Sequence, residues 1–260
     1  MPTLDTRGKI AAAELAFYSP IAALSLVLIF RYAFRRDAGW FFLFIFSAIR
    51  IAGAALIVAA EMIEPPKITL FNAAYIMDFA GLAALLFSSL GFIGMAGQHT
   101  YSENPRITIL LRLIGFLGLG GLGLCIAGGV LGTQATANQN LATSLRRAGV
   151  CVYAGMYVIL FMVHIGTWTY RWHLRSYRRN LLWGISVALP FLGVRMAYAV
   201  LAAWSASDLH GLNLSSNATL AKLNPITGNW ILYLVMSLVM EYVTALLYLF
   251  ASTILARRHH

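Results

Sequence analysis

"PFLGVRMAYAVLAAW", residues 190–204, is apolar along almost its whole length and yet carries Arg195 in its middle. An apolar run of about 20 residues is long enough to cross a bilayer as a helix. On insertion scales, a charge at the centre of such a helix costs about 2.5–3.5 kcal/mol, so it normally faces a partner, a cavity or a substrate. The stretch "FSAIRIAGAALIVAAE", residues 46–61, repeats the pattern around Arg50.

The rest of the chain agrees with a membrane reading. Its 260 residues are 60% hydrophobic and 11% charged, with a mean hydropathy of +0.76. A soluble domain of this length needs far more polar surface. Seven apolar segments follow, at roughly 12–34, 39–61, 72–97, 106–132, 146–170, 180–205 and 228–256. The expected fold is therefore all-α: one integral membrane bundle of seven transmembrane helices, a single domain over residues 1–260. Connections are short except for about 20 residues between the sixth and seventh segments. The first segment holds Glu14 and Pro20 behind a polar start, which is unlike a cleaved signal peptide. The net charge of +10 raises the question of nucleic acid. The basic residues, however, sit at the ends of apolar runs, where they anchor helices, so no nucleic-acid partner is expected.

Orientation follows from the same residues. Arg31, Arg35, Arg36, Arg106, Arg171, Arg175, Arg178, Arg179, Arg257 and Arg258 fall on one side. Arg7, Lys9, Lys67, Arg146, Arg147 and Lys222 fall on the other. The first side is then cytoplasmic, with the N-terminus lumenal or outside and the C-terminus inside. The sequons at Asn213 and Asn217 fall in the long sixth connection, on the lumenal side. The endoplasmic reticulum is the expected membrane.

Cysteine and histidine carry little chemistry. Cys125 and Cys151 read as two buried free thiols, and His164 stands alone in the fifth segment. His99, His173 and His210 fall near membrane ends or in loops, and His259 and His260 are given no function. No metal-ligand spacing, paired haem histidines or phosphate-cradling loop is present, so no metal or cofactor is expected. The glycines of "GFLGLGGLGLCIAGG", residues 115–129, read as a surface for close helix packing.

The informative residues are the intramembrane charges. Arg50, Asp78, Arg195 and Glu241 lie deep in segments two, three, six and seven, while Glu14 and Glu61 sit nearer the lumenal ends of segments one and two. For Glu14 and Glu61, solvated or capping roles are the simplest reading. Two Arg and two acids can also form purely structural pairs. So lopsided a distribution nevertheless suggests one polar cavity towards the lumenal side, with Tyr75, Tyr198 and Tyr242 as aromatic company and, with Glu61 and Glu14, as candidate substrate contacts. Acid catalysis on a lipid-soluble substrate suits such a cavity. A positioned carboxyl donates a proton, aromatic faces stabilise a cation, and an arginine orients an acid or holds an oxygen. Glu241, the deepest acid, is the first choice as donor and Asp78 the second, provided one of them escapes tight pairing.

The stretches "ALPFLGVRMAYAVL", "NPITGNWILYLVMSLVMEYVTALLYLF" and "FSAIRIAGAALIVAAE" resemble a fungal family of seven-helix membrane proteins of largely unknown function. That group is similar in turn to the membrane-bound terpene cyclases of ascochlorin- and ascofuranone-type meroterpenoid pathways. The resemblance implies cyclisation of an epoxidised prenyl chain on an aromatic head, with a hydrophobic prenylated small molecule and membrane lipid as partners. The Trp-Glu pattern of the better-known meroterpenoid cyclases is absent, since Ala60 precedes Glu61. A seven-helix receptor and a lipid or small-molecule transporter remain as alternatives. Neither a retinal-holding lysine in the last segment nor an internal repeat supports them.

Overall fold

The structure, a computed structural model, describes residues 4–32, 38–63, 68–97, 105–134, 138–174, 176–206 and 214–257. Six long helices come first: α1 (Thr6–Tyr32), α2 (Ala38–Met62), α3 (Ile68–Ala96), α4 (Pro105–Gly132), α5 (Gln139–Thr169) and α6 (Ser176–Ser205). The seventh, α7, runs as Trp230–Tyr233, a π-helical turn at Leu234–Val239, and Met240–Arg257. Among the described residues, seven helices are long and apolar enough to cross a membrane. The chain is thus an all-helical integral membrane bundle.

The two boundaries that differ most from the hydropathy reading do so for one physical reason. Polar residues extend α1 back to Thr6 and α5 back to Gln139, beyond the apolar windows. At α5 the side chain of Asn138 caps the helix, accepting from Asn140 N at 3.1 Å and Leu141 N at 3.4 Å. Arg146 and Arg147 therefore lie about two turns inside the helix rather than at its start, and Arg146 is buried. Asn213, His99 and His210 lie outside the described residues, as do Arg35, Arg36, Lys67, Arg175 and Arg258.

Consecutive helices pack as neighbours, and α1 closes the bundle against α7. The central helix is α3, which also touches α5, α6 and α7. Its Leu82, Leu85, Leu86, Phe92 and Ile93 are buried among Phe46, Tyr153, Met156, Leu189 and Leu192. The glycines of α4 behave as a packing surface in part. A Cβ on Gly128 would stand 2.7 Å from the backbone nitrogen of Arg146, so only glycine permits α4 and α5 to approach this closely. Gly120 and Gly123, in contrast, face open space.

The upper end of the bundle is where α1, α3, α5 and α7 begin and α2, α4 and α6 finish. There, residues 214–229 fold over the helices in a compact cover. Asn217 caps the one-turn helix Ala218–Ala221, and Asn224, buried, accepts from Ile226 N at 2.7 Å and Thr227 N at 3.0 Å. Arg7 of α1 donates to the carbonyl of Pro225, and Arg146 to that of Ala206. Both thiols are free, but Cys151 is exposed on α5 and only Cys125 is buried, which corrects the expectation of two buried thiols.

Candidate functional site

Counted from the upper helix ends at about 1.5 Å per residue, the Cα atoms of Arg50, Asp78, Arg195 and Glu241 lie about 15–18 Å deep. Four different helices thus present four charges at one level. Their side chains close a ring. Arg50 Nη1 donates to Asp78 Oδ1 at 2.7 Å, and Arg195 Nη2 to Asp78 Oδ2 at 3.1 Å. Arg195 Nε donates to Glu241 Oε1 at 2.6 Å, and Arg50 Nη2 pairs with Glu241 Oε2. Each carboxylate gives one oxygen to each guanidinium, so the ring is neutral and every member has two partners.

Burial makes this pairing necessary. The Glu241 side chain is 0% exposed, Arg195 2% and Arg50 5%, while Asp78 at 27% opens towards a cavity. Unpaired charges at such depth would each cost about 2.5–3.5 kcal/mol. Local packing supports the ring. Gly81, one turn along α3 from Asp78, leaves room for Arg50, whose Nε would lie 3.4 Å from a Cβ there. Phe46 lies 6.0 Å from the Arg50 guanidinium and Tyr198 lies 5.9 Å from that of Arg195, both within cation–π range.

The expectation that one of the two main acids stands free of tight pairing is not met. Glu241 and Asp78 both serve two arginines. The acid outside the ring is Glu14. It is 8% exposed, rather than solvated as its place near the start of an apolar run indicated. No ion pair engages it among the described residues. Because α1 starts at Thr6, Glu14 lies about 12 Å below the upper end, about two turns deep. Glu61 does have the capping role: its carboxylate accepts from Asp5 N at 3.1 Å, at the start of α1. Gly8 makes that approach possible, since a Cβ there would overlap Glu61.

Two adjoining cavities border the ring, and a groove adjoins the first of them. The first cavity, of about 110 Å³, is lined by Glu14, Arg50, Asp78 and, higher up, Arg7, Glu61 and Tyr75. The second, about 50 Å³, shares Asp78 and Arg146 with it and reaches Arg195 and Tyr198. Pro225 and Ile226 of the cover line both. Tyr242 lies elsewhere: it lines an apolar groove of about 440 Å³ between α1 and α7, together with Phe17, Tyr18 and Glu14. Glu14 is therefore common to the polar cavity and the apolar groove.

Several residues of the site escape a reading by hydropathy. Tyr18, four residues after Glu14 and so on the same face of α1, is buried, and its hydroxyl has no partner among the described residues. That spacing is a signal that was there to be used. Tyr233, Arg7 and Arg146 line the first cavity with no comparable cue. His164 is not alone: its Nε2 lies 2.8 Å from Ser186 Oγ and accepts from Trp168 Nε1 at 3.0 Å. Tyr248, near Glu241 in sequence, bonds to Ser89 at 2.7 Å and belongs to the core.

Fold and site together define a polytopic seven-helix membrane protein built around a buried, internally neutral ring of charges. The chain belongs to the family described as a domain of unknown function (DUF7702), whose model matches residues 4–258. No curated protein and no solved structure matches it.

Proposed function

We propose that the chain is an integral membrane enzyme that cyclises a lipid-soluble prenylated substrate by acid catalysis, a terpene cyclase of the meroterpenoid type. The observation that carries the reading is Glu14. It is a buried carboxyl on a cavity wall, held by no guanidinium among the described residues, beside a ring in which both acids are doubly engaged. A carboxyl left free of cations keeps its oxygens for a proton and a substrate.

In the proposed reaction Glu14 passes its proton to the oxygen of an epoxide on the prenyl chain. The carbon–oxygen bond opens, and the π electrons of a neighbouring alkene close a carbon–carbon bond onto the developing cation. A proton lost from the last cation returns to the Glu14 carboxylate, so product and substrate have equal mass. Phe17, Tyr18 and Tyr242 meet edge to face, with ring centroids 5.5–5.8 Å apart, and offer aromatic faces to the cation. Glu241 and Asp78 act as counter-ions that hold Arg50 and Arg195 in position, rather than as donors.

Support also comes from the resemblance of the three quoted stretches to the fungal seven-helix group, which favours secondary metabolism in the endoplasmic reticulum. The ring weighs against the transporter alternative, because sliding any one of its four helices would break buried pairs. The test is incubation of membranes carrying the protein with an epoxy-prenylated phenol. An isomer of equal mass should form, and Glu14→Gln should slow it about 10²–10⁴-fold. Full rates in Glu14→Gln at normal expression would refute the assignment of the donor. No isomer from any epoxy-prenylated phenol would refute the reaction.

A further inference from the structure

The groove between α1 and α7 is almost wholly apolar, yet its walls include Glu14 and Tyr18. Glu14 is more than nine-tenths buried, and the Tyr18 hydroxyl is buried with no partner among the described residues. A buried polar group without a partner costs free energy unless something that visits the site satisfies it. The α7 wall supplies a second, independent observation. Leu234, Leu238 and Val239, which line the groove, all belong to the π-helical turn just before Glu241. π-turns inside α-helices occur frequently at functional sites. A volume of about 440 Å³ also falls in the range of small-molecule sites.

The chemistry of the walls restricts the occupant. A carboxyl and a phenol at the inner end suit a neutral oxygen, an epoxide or hydroxyl, and offer no cation there for the phosphate or carboxylate of a membrane lipid. Phe17, Tyr18 and Tyr242 present ring edges and faces, which match an unsaturated chain. Phe17 and Val239 are exposed on the outer surface of the bundle, so the groove opens sideways towards the bilayer. Lys9 and Thr6 stand at its upper rim.

We infer that this groove is the binding site for the prenyl chain, entered from the lipid phase, with the chain's oxygenated end against Glu14 and Tyr18. The inference rests on the reaction proposed above for the chemical identity of the chain, but binding is measurable without turnover.

The test uses the purified protein in phosphatidylcholine nanodiscs and a farnesylated phenol bearing a photoreactive diazirine on the chain. Labelled peptides should come from α1 and α7 around Ala13, Phe17 and Val239. Unlabelled farnesylated phenol should compete, whereas a saturated sixteen-carbon alcohol should not. Ala13→Trp and Val239→Trp, which fill the groove from its outward side, should each lower labelling at least tenfold. Leu113→Trp, a change at an exposed position on α4, should leave it unchanged. Labelling spread over all lipid-facing helices, or lowered equally by Leu113→Trp, would overturn the site. Equal competition by the saturated alcohol would overturn the choice of a prenyl chain. Groove labelling without cyclisation would retain the site and refute the reaction. Cyclisation in Ala13→Trp and Val239→Trp at full rates and unchanged KM would retain the reaction and refute the site.

Discussion

Glu241→Gln is the most direct probe of the ring, since it keeps the side chain's shape and removes its charge. Glu241 is fully buried and faces Arg195 Nε at 2.6 Å on one oxygen and Arg50 on the other. The substitution leaves two guanidiniums sharing Asp78, with one positive charge uncompensated. Removing one partner of a buried pair costs about 3–5 kcal/mol, and a residue with two such partners should fall at the upper end. In a chain of roughly this size each kcal/mol moves Tm by about 2–4 °C, so Tm should fall by about 10–20 °C. Removing the opposite charge as well should restore part of the loss. Arg195→Gln with Glu241→Gln leaves a neutral Arg50–Asp78 pair, and the two changes should couple by about 0.5–3 kcal/mol. Thermal unfolding in detergent, followed by fluorescence of the six tryptophans, reads both effects. A single variant within about 2 °C of the parent, or a double variant as unstable as the two singles summed, would refute the closed ring.

Other outcomes follow from packing, exposure and topology. Gly128→Ala should destabilise by about 1–3 kcal/mol, because its methyl meets the backbone of α5, whereas Gly123→Ala should be neutral or slightly stabilising, since nothing lies within 4 Å. Denaturation midpoints of the two variants decide this, and equal midpoints would contradict the α4–α5 contact. In detergent, a small maleimide should modify Cys151 well before Cys125; protection of both in the native protein, or labelling retained in Cys151→Ala, would contradict the exposure. Asn217 spends its Oδ1 on capping Thr219, and N-glycosylation uses the amide nitrogen instead. In a eukaryotic host, glycosidase treatment should therefore shift the protein's mobility, Asn217→Gln combined with Asn213→Gln should abolish the shift, Asn213→Gln alone should leave the part carried by Asn217, and single cysteines at 171–174 should label only from the cytoplasmic side. Labelling of those cysteines from the lumenal side would overturn the orientation.

The seven helices were legible because each spanning segment must be apolar for about 20 residues whatever it packs against. The four deep charges were legible for the complementary reason, that each breaks such a run at a cost. Their arrangement was not. Which oxygen meets which guanidinium depends on helix neighbours and rotations, and a stretch such as 190–204 encodes neither. Glu14 was misread through a boundary: hydropathy places the start of the first segment at residue 12, whereas the helix begins at Thr6 and carries Glu14 inward. At α5 too the boundary lies earlier than the apolar window, since Asn138 starts the helix and Arg146 falls inside it rather than at its first residue. The π-turn of α7 has no periodicity signal, because Leu234–Val239 reads equally well as an ordinary helical turn.

The ring also bears on how the chain enters the membrane as it is made. Arg50 and Asp78 lie on consecutive helices, as do Arg195 and Glu241. Each hairpin therefore contains its own cation and anion and can leave the translocation machinery already neutral. The α2–α3 hairpin would be in the bilayer first, since synthesis runs from the N-terminus. Once α6–α7 is in place, each acid shares one of its two oxygens with the other hairpin's arginine, Asp78 with Arg195 and Glu241 with Arg50. Two self-sufficient pairs thereby become one shared set, and the last hairpin to be translated locks the first.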